Sequence, residues 1–65
     1  MPKYSHTVRG FKADGESLPM AAPDKEHAMA LVFAMLNRGY VRVEVSERIG
    51  ESEVFHLEDI FYVDR

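Results

Sequence analysis

The side chains in this sequence that could perform acid–base or metal chemistry are its histidines and its carboxylates. His6, His27 and His56 fall in three separate segments. No two of them have the His-x-His or His-x-x-x-His spacing that places two imidazoles on one face of a strand or a helix. The local sequence therefore predicts no metal site, and it indicates no cofactor.

Covalent catalysis is disfavoured by the nucleophiles that the chain offers. It has no cysteine, which rules out thiol chemistry and disulfides. None of its serines sits between the glycines of a nucleophile elbow. The adjacent carboxylates Glu58 and Asp59 should point to opposite faces of a strand, which would keep them from acting as an acid–base pair. We expect a protein that is not an enzyme.

Charge is unevenly distributed along the chain. Residues 1–39 carry five basic and four acidic side chains, a net +1, whereas residues 40–65 carry three basic and seven acidic ones, a net −4. Nucleic-acid binders usually show the opposite bias, because phosphate neutralisation supplies much of their affinity. The acidic half fits a basic protein partner, such as a nucleic-acid-binding protein, better than it fits nucleic acid; the alternative is the ordinary solvation of a hairpin. The predicted acidic contacts are Glu44, Glu47, Glu51 and Glu53.

The best-marked element is a helix at about residues 24–38. Pro23 suits the first helical position, or else Asp24 is the N-cap, and Arg38 and Gly39 mark the end. One helical stripe is suited to cover a sheet. It consists of Ala28, Leu31, Val32, Met35 and Leu36.

The opposite side of this helix is unusually apolar. Ala30, Phe33, Ala34 and Asn37 recur at spacings of three, four and seven residues, where an isolated helix on a sheet would carry charge. We predict that these four residues bind a second copy or another partner. The alternative is that the segment Leu18 to Met20, or the tail Ile60 to Val63, folds over them.

Alternating apolar residues predict strands on both sides of the helix. The first runs over residues 4–12 with a bulge at Gly10, Asp14-Gly15 predicts a turn, and residues 16–20 can add a short edge strand. Residues 40–47 and 54–58 predict a hairpin that pairs Glu47 with Glu53. The fold class is α+β: one domain over residues 1–65, a β-α-β-β arrangement with three or four mostly antiparallel strands and one helix on one face.

These features favour a non-catalytic protein-binding module or small inhibitor. In size and acidity the chain resembles the anti-defence inhibitors (anti-CRISPR type) of phages and mobile elements. One alternative is a dimeric nucleic-acid-binding or regulatory domain, for which Arg9, Lys12, Lys25 and Arg38 would have to converge. Another is a structural subunit of a larger assembly. The longest apolar run has nine residues, against roughly 20 for a membrane span, so we expect a cytoplasmic protein without a membrane segment.

Overall fold

The computed structural model describes residues 4–63, and these form a four-stranded sheet with one helix. The sheet has the strand order β2-β1-β3-β4, and every neighbouring pair is antiparallel. The predicted α+β fold is confirmed, with the optional strand before the helix present. The elements are β1 (His6–Phe11), β2 (Ser17–Ala22), α1 (Lys25–Asn37), β3 (Arg42–Arg48) and β4 (Phe55–Tyr62).

Both ends of helix α1 lie within a residue or two of the sequence prediction. Asp24 is the N-cap, and its carboxylate accepts a hydrogen bond from the backbone N–H of His27 at 2.8 Å. Pro23 therefore precedes the cap and is not the first helical residue. At the other end Arg38 is the C-cap, and Gly39 takes a φ of 101°, a left-handed conformation that favours glycine.

The core lies between helix α1 and one face of the sheet. The helix packs against β1, β2 and β3. The predicted stripe supplies the helical part, because Ala28, Val32 and Met35 are buried and Leu31 and Leu36 pack at the edge. The sheet contributes Val8, Ala22, Val43 and Val45. The opposite face of the sheet has no helix among the described residues.

The bulge predicted at Gly10 is absent, and this correction has a steric reason. Strand β1 keeps an unbroken register on both sides, with Gly10 opposite Leu18 and Val43. A Cβ atom at Gly10 would come within 2.8 Å of Met35 Sδ and of a Tyr40 ring carbon. Glycine is thus needed because the helix end and Tyr40 approach the strand closely. Without a bulge, Phe11 lies on the uncovered face of the sheet.

The predicted pairing of Glu47 with Glu53 is wrong. Arg48 faces Phe55, and the register shifts between Val45 and Ser46 because Glu58 is an extra residue in β4. The strand continues to Tyr62, so most of the apolar tail pairs with the start of β3. Those added ladder hydrogen bonds favour the longer hairpin over the shorter predicted one.

Candidate functional site

The outer face of helix α1 is exposed. Ala30, Phe33, Ala34 and Asn37 all lie on the surface, and 62% of Phe33 is accessible to solvent. The segment Leu18 to Met20, which could have covered this face, instead belongs to strand β2 and runs beside the helix. Residues 60–62 lie in β4, at the far edge of the sheet. Within residues 4–63, neither segment covers Phe33.

A groove of about 420 Å³ separates helix α1 from strand β2. Ala30 and Ala34 form its helical wall, and Met20 and Ala22 lie on the strand side. Small side chains let a second backbone approach closely, and the walls offer it mostly apolar atoms. This groove and the Phe33 ring beside it are here called the helix surface.

The four predicted glutamates do not form one acidic surface. Glu44 lies on the uncovered sheet face, where a carboxylate oxygen is 3.4 Å from Arg42 Nη2. Glu47 is an odd number of residues further along β3 and therefore points to the helix side. Glu51 and Glu53 lie in the connection between β3 and β4, near Arg48 and Phe55. The fold thus separates them into three places and keeps only Glu51 and Glu53 together.

The uncovered sheet face carries alternating aromatic and arginine side chains. Phe11, Arg42 and Tyr62 are register partners across β1, β3 and β4. The Arg42 guanidinium lies 4.3 Å from the centre of the Phe11 ring, and that of Arg48 lies 4.9 Å from the centre of the Phe55 ring. Arg42 Nε is buried without a hydrogen-bond partner, and 65% of Tyr62 is accessible to solvent. These five residues are here called the sheet surface.

The basic side chains expected to converge are dispersed. Arg9 donates to Ser17 Oγ, Lys12 lies over the Tyr40 ring, and Lys25 donates to Glu58 on the helix side. Arg38 lies at the C-terminal end of the helix. Of these four, Arg9 lies on the uncovered sheet face, as do Arg42 and Arg48, whose guanidinium groups lie over aromatic rings. The even spacing of Arg42 and Arg48 along β3 signalled a common face, but the aromatic neighbours depended on a register that the sequence analysis predicted incorrectly.

The structure brings together three potential metal ligands that lie far apart in the sequence. One ligand atom each from His6, Glu47 and Glu58 lies within 4.8 Å of the other two. His6 is 5% exposed. Lys25 Nζ is 2.9 Å from Glu58 Oε1, and this hydrogen bond raises the pKa of Lys25 and lowers that of Glu58. The spacing of histidines in the sequence could not indicate this cluster, because its three members come from three different strands.

The bulge in β4 also corrects the expected orientation of Glu58 and Asp59. Asp59 is the register partner of the buried Val45, so it lies on the helix side, as Glu58 does next to Lys25. A regular strand would have placed the two on opposite faces. The carboxylates of Glu47, Glu58 and Asp59 all raise the pKa of Lys25 through their negative charge, after the larger effect of its hydrogen bond to Glu58.

The remaining histidines have separate environments. His27 Nδ1 is 2.8 Å from the capping carboxylate of Asp24. His56 is exposed and faces Glu47 in the hairpin register. Helix α1 is too short to cross a membrane, and it is the only helix in residues 4–63. No protein-family model, no curated protein and no solved structure matches this chain.

Proposed function

We propose that the protein is a non-catalytic protein-binding module whose helix surface associates with a second copy of the chain. The observation that carries the proposal is the exposure of Phe33, at 62%, beside Ala30 and Ala34. Full burial of an exposed phenylalanine contributes about 1.5–3 kcal/mol, and association would gain the share of this that belongs to the exposed 62% of Phe33. A two-fold dimer buries two Phe33 rings, one from each chain, so this free-energy gain applies twice. A cytoplasmic location belongs to the same proposal.

The size of the domain supports association. A chain of 65 residues buries only about 60% of its unfolded surface, and this one has no disulfide to compensate. Its core occupies one side of the sheet. Contact between two helix surfaces would give each copy a second apolar layer, with the alanines allowing the helices to approach closely.

Sedimentation of the purified chain tests the helix surface. We expect a dimer for the native sequence and a monomer for Phe33→Asp, because two charged groups would face each other across the two-fold axis. Val54→Asp is the matched control, since Val54 is 59% exposed and lies in the hairpin connection. A native chain that stays monomeric, or equal loss of the dimer in both variants, would contradict the proposal.

If the protein acts as an inhibitor, it also binds a basic partner protein, and Glu51 and Glu53 are the proposed contacts with that partner. Opposite charges across an interface act mainly on association rate and on salt dependence. We expect partner captured from host lysate to dissociate faster from Glu51→Lys and Glu53→Lys chains. Retention equal to that of the native chain at low and high salt would exclude an acidic contact at the hairpin.

A second candidate function is binding of single-stranded nucleic acid to the sheet surface. The specific observation in its favour is the exposed Tyr62 ring, which lies next to Arg42, whose guanidinium stacks on Phe11. Bases stack on exposed aromatic rings, and arginine contributes both charge and a planar surface. The net charge of −3 opposes this function, so the binding would have to depend on these few side chains.

Fluorescence anisotropy with a labelled oligouridine tests the nucleic-acid function. If the sheet surface binds it, Tyr62→Ala and Arg42→Ala should each weaken affinity about tenfold, in line with about 1–3 kcal/mol for one stacked base. Lys25→Ala is the control cation, because it lies on the other side of the sheet next to Glu58. Absence of binding at low salt would remove the nucleic-acid function and leave the protein-binding one untouched.

A further inference from the structure

The His6 ring is held in place by a hydrogen bond with Ser5. Ser5 Oγ donates its single proton to the carbonyl oxygen of Pro23 at 2.9 Å. Ser5 Oγ also lies 2.6 Å from His6 Nδ1 and can accept a hydrogen bond from an Nδ1–H group. A neutral imidazole with its proton on Nδ1 carries its lone pair on Nε2. That atom is 3.7 Å from Glu58 Oε1 and makes no hydrogen bond with it.

In that tautomer the Nε2 lone pair faces the carboxylate oxygens of Glu47 and Glu58. Two carboxylates and an imidazole lone pair would be stabilised by a positive charge between them. Lys25 supplies one from the outside, but its described hydrogen bond goes to Glu58 alone. The arrangement has the form usual for a metal-binding histidine, in which the other ring nitrogen donates to a fixed acceptor and orients the ring.

The geometry points to a site for a divalent transition-metal ion, such as Zn²⁺, bound by His6, Glu47 and Glu58. One nitrogen and two carboxylate oxygens suit Zn²⁺, Co²⁺ or Mn²⁺ better than Mg²⁺ or Ca²⁺, which prefer oxygen ligands alone. Bonds of about 2.0–2.2 Å need ligand atoms closer together than the observed spread. Rotation of the two glutamate side chains would provide that contraction, because both are long, Glu47 is half-buried and Glu58 is exposed.

The fold explains why these three residues meet. His6 and Glu47 are register partners across β1 and β3. Glu58 is the extra residue of the bulge in β4, beside Ser46 and Val45 on the neighbouring strand. Bulges commonly redirect side chains at functional sites. Lys25 then acts as a competing cation that must leave Glu58 before the metal ion binds.

Calorimetric titration of the full chain with ZnCl₂ tests the site. We expect one ion per chain, with affinity reduced at least about tenfold in Glu47→Gln and in Glu58→Gln. Lys25→Met should bind more tightly, because the competing ammonium is gone. The matched control is Glu44→Gln, which changes the same strand on its opposite face and should leave the affinity unchanged.

Two further measurements make the test specific. Ser5→Ala should weaken Zn²⁺ binding about 10- to 100-fold, because the imidazole loses the acceptor that orients it. Co²⁺ bound in place of Zn²⁺ should give visible absorption bands that disappear in Glu47→Gln, with circular dichroism showing that the variant is folded. Absence of Zn²⁺ binding by the native chain, equal affinity for Mg²⁺, or equal weakening by Glu44→Gln would overturn the site.

Discussion

Asp24 and His27 form a charged pair at the start of helix α1. The backbone N–H of His27 donates to the Asp24 carboxylate, and this hydrogen bond is the main reason that the pKa of Asp24 is lowered. The imidazole forms a second hydrogen bond with the same oxygen, which raises the pKa of His27. The stabilisation that Asp24 gives the folded state is present above its ordinary pKa, and it is lost as the pH falls through the lowered pKa of the folded state. The stabilisation that His27 gives is complete below its ordinary pKa, and it is lost as the pH rises through the raised pKa of the folded state.

The pair should therefore stabilise the helix most at mildly acidic pH, when both groups are charged. We expect His27→Gln to lower the melting temperature by on the order of 1–2 °C at about pH 5.5 and to have no effect at about pH 8.5. Asp24→Ala should lower it by several degrees at both pH values, because the backbone cap is lost as well. Thermal melts followed by circular dichroism measure both. Equal effects of His27→Gln at the two pH values would contradict the assignment.

At the scale of elements, the packing of helix α1 on strand β1 depends on the missing side chain of Gly10. The added methyl group in Gly10→Ala would meet Met35 Sδ and the Tyr40 ring. Methionine can move aside, whereas the ring is held between strand and helix end. We expect a loss of about 1–3 kcal/mol in the free energy of unfolding, typical of overpacking. Urea denaturation measures it.

A second substitution shows whether the ring is the cause. Tyr40→Leu gives the added methyl group room, so the double variant Gly10→Ala/Tyr40→Leu should lose less stability than the two single changes added together. Simple additivity would mean that the ring does not restrict this position, and that the loss comes from Met35 or from the strand backbone.

These elements also show how far the sequence alone can go. The helix was predictable, because Asp24 and Gly39 act on residues three or four positions away. The sequence predicts a bulge at Gly10, because it does not show which side chains approach a strand from elsewhere. It predicts the wrong β3–β4 register, because alternating residues fit several offsets almost equally well. An extra residue such as Glu58 becomes visible only when the two strands are paired.

The candidate sites show the same contrast between what local sequence spacing predicts and what only the folded structure shows. Helical spacing alone brings Ala30, Phe33 and Ala34 together, so this group of residues was predictable from the sequence. Its exposure to solvent could be seen only in the folded structure. The predicted acidic hairpin placed Glu44 and Glu47 on one surface, whereas strand alternation puts them on opposite faces. The cluster around His6 was inaccessible to sequence reasoning, because each of its three residues comes from a different strand.

At the scale of the whole molecule, one helix covers one face of the sheet and leaves an apolar area and an aromatic–arginine area in contact with solvent. The helix surface contains Phe33, and the sheet surface contains Tyr62. An isolated domain of this size has little stability to spare. Any partner that binds the folded chain and not the unfolded one must raise its stability by mass action. Self-association through the helix surface therefore has a thermodynamic consequence that does not depend on detecting the dimer directly.

The melting temperature of the native chain should rise with protein concentration, by a few degrees for each tenfold increase above the dissociation constant. Differential scanning calorimetry over a wide concentration range measures this. In Phe33→Asp the melting temperature should be independent of concentration and equal to the dilute limit of the native chain, because Phe33 is exposed in the monomer and contributes little to its core. Val54→Asp should keep the native dependence. A native melting temperature that is the same at every concentration would show that the helix surface binds a different partner or none.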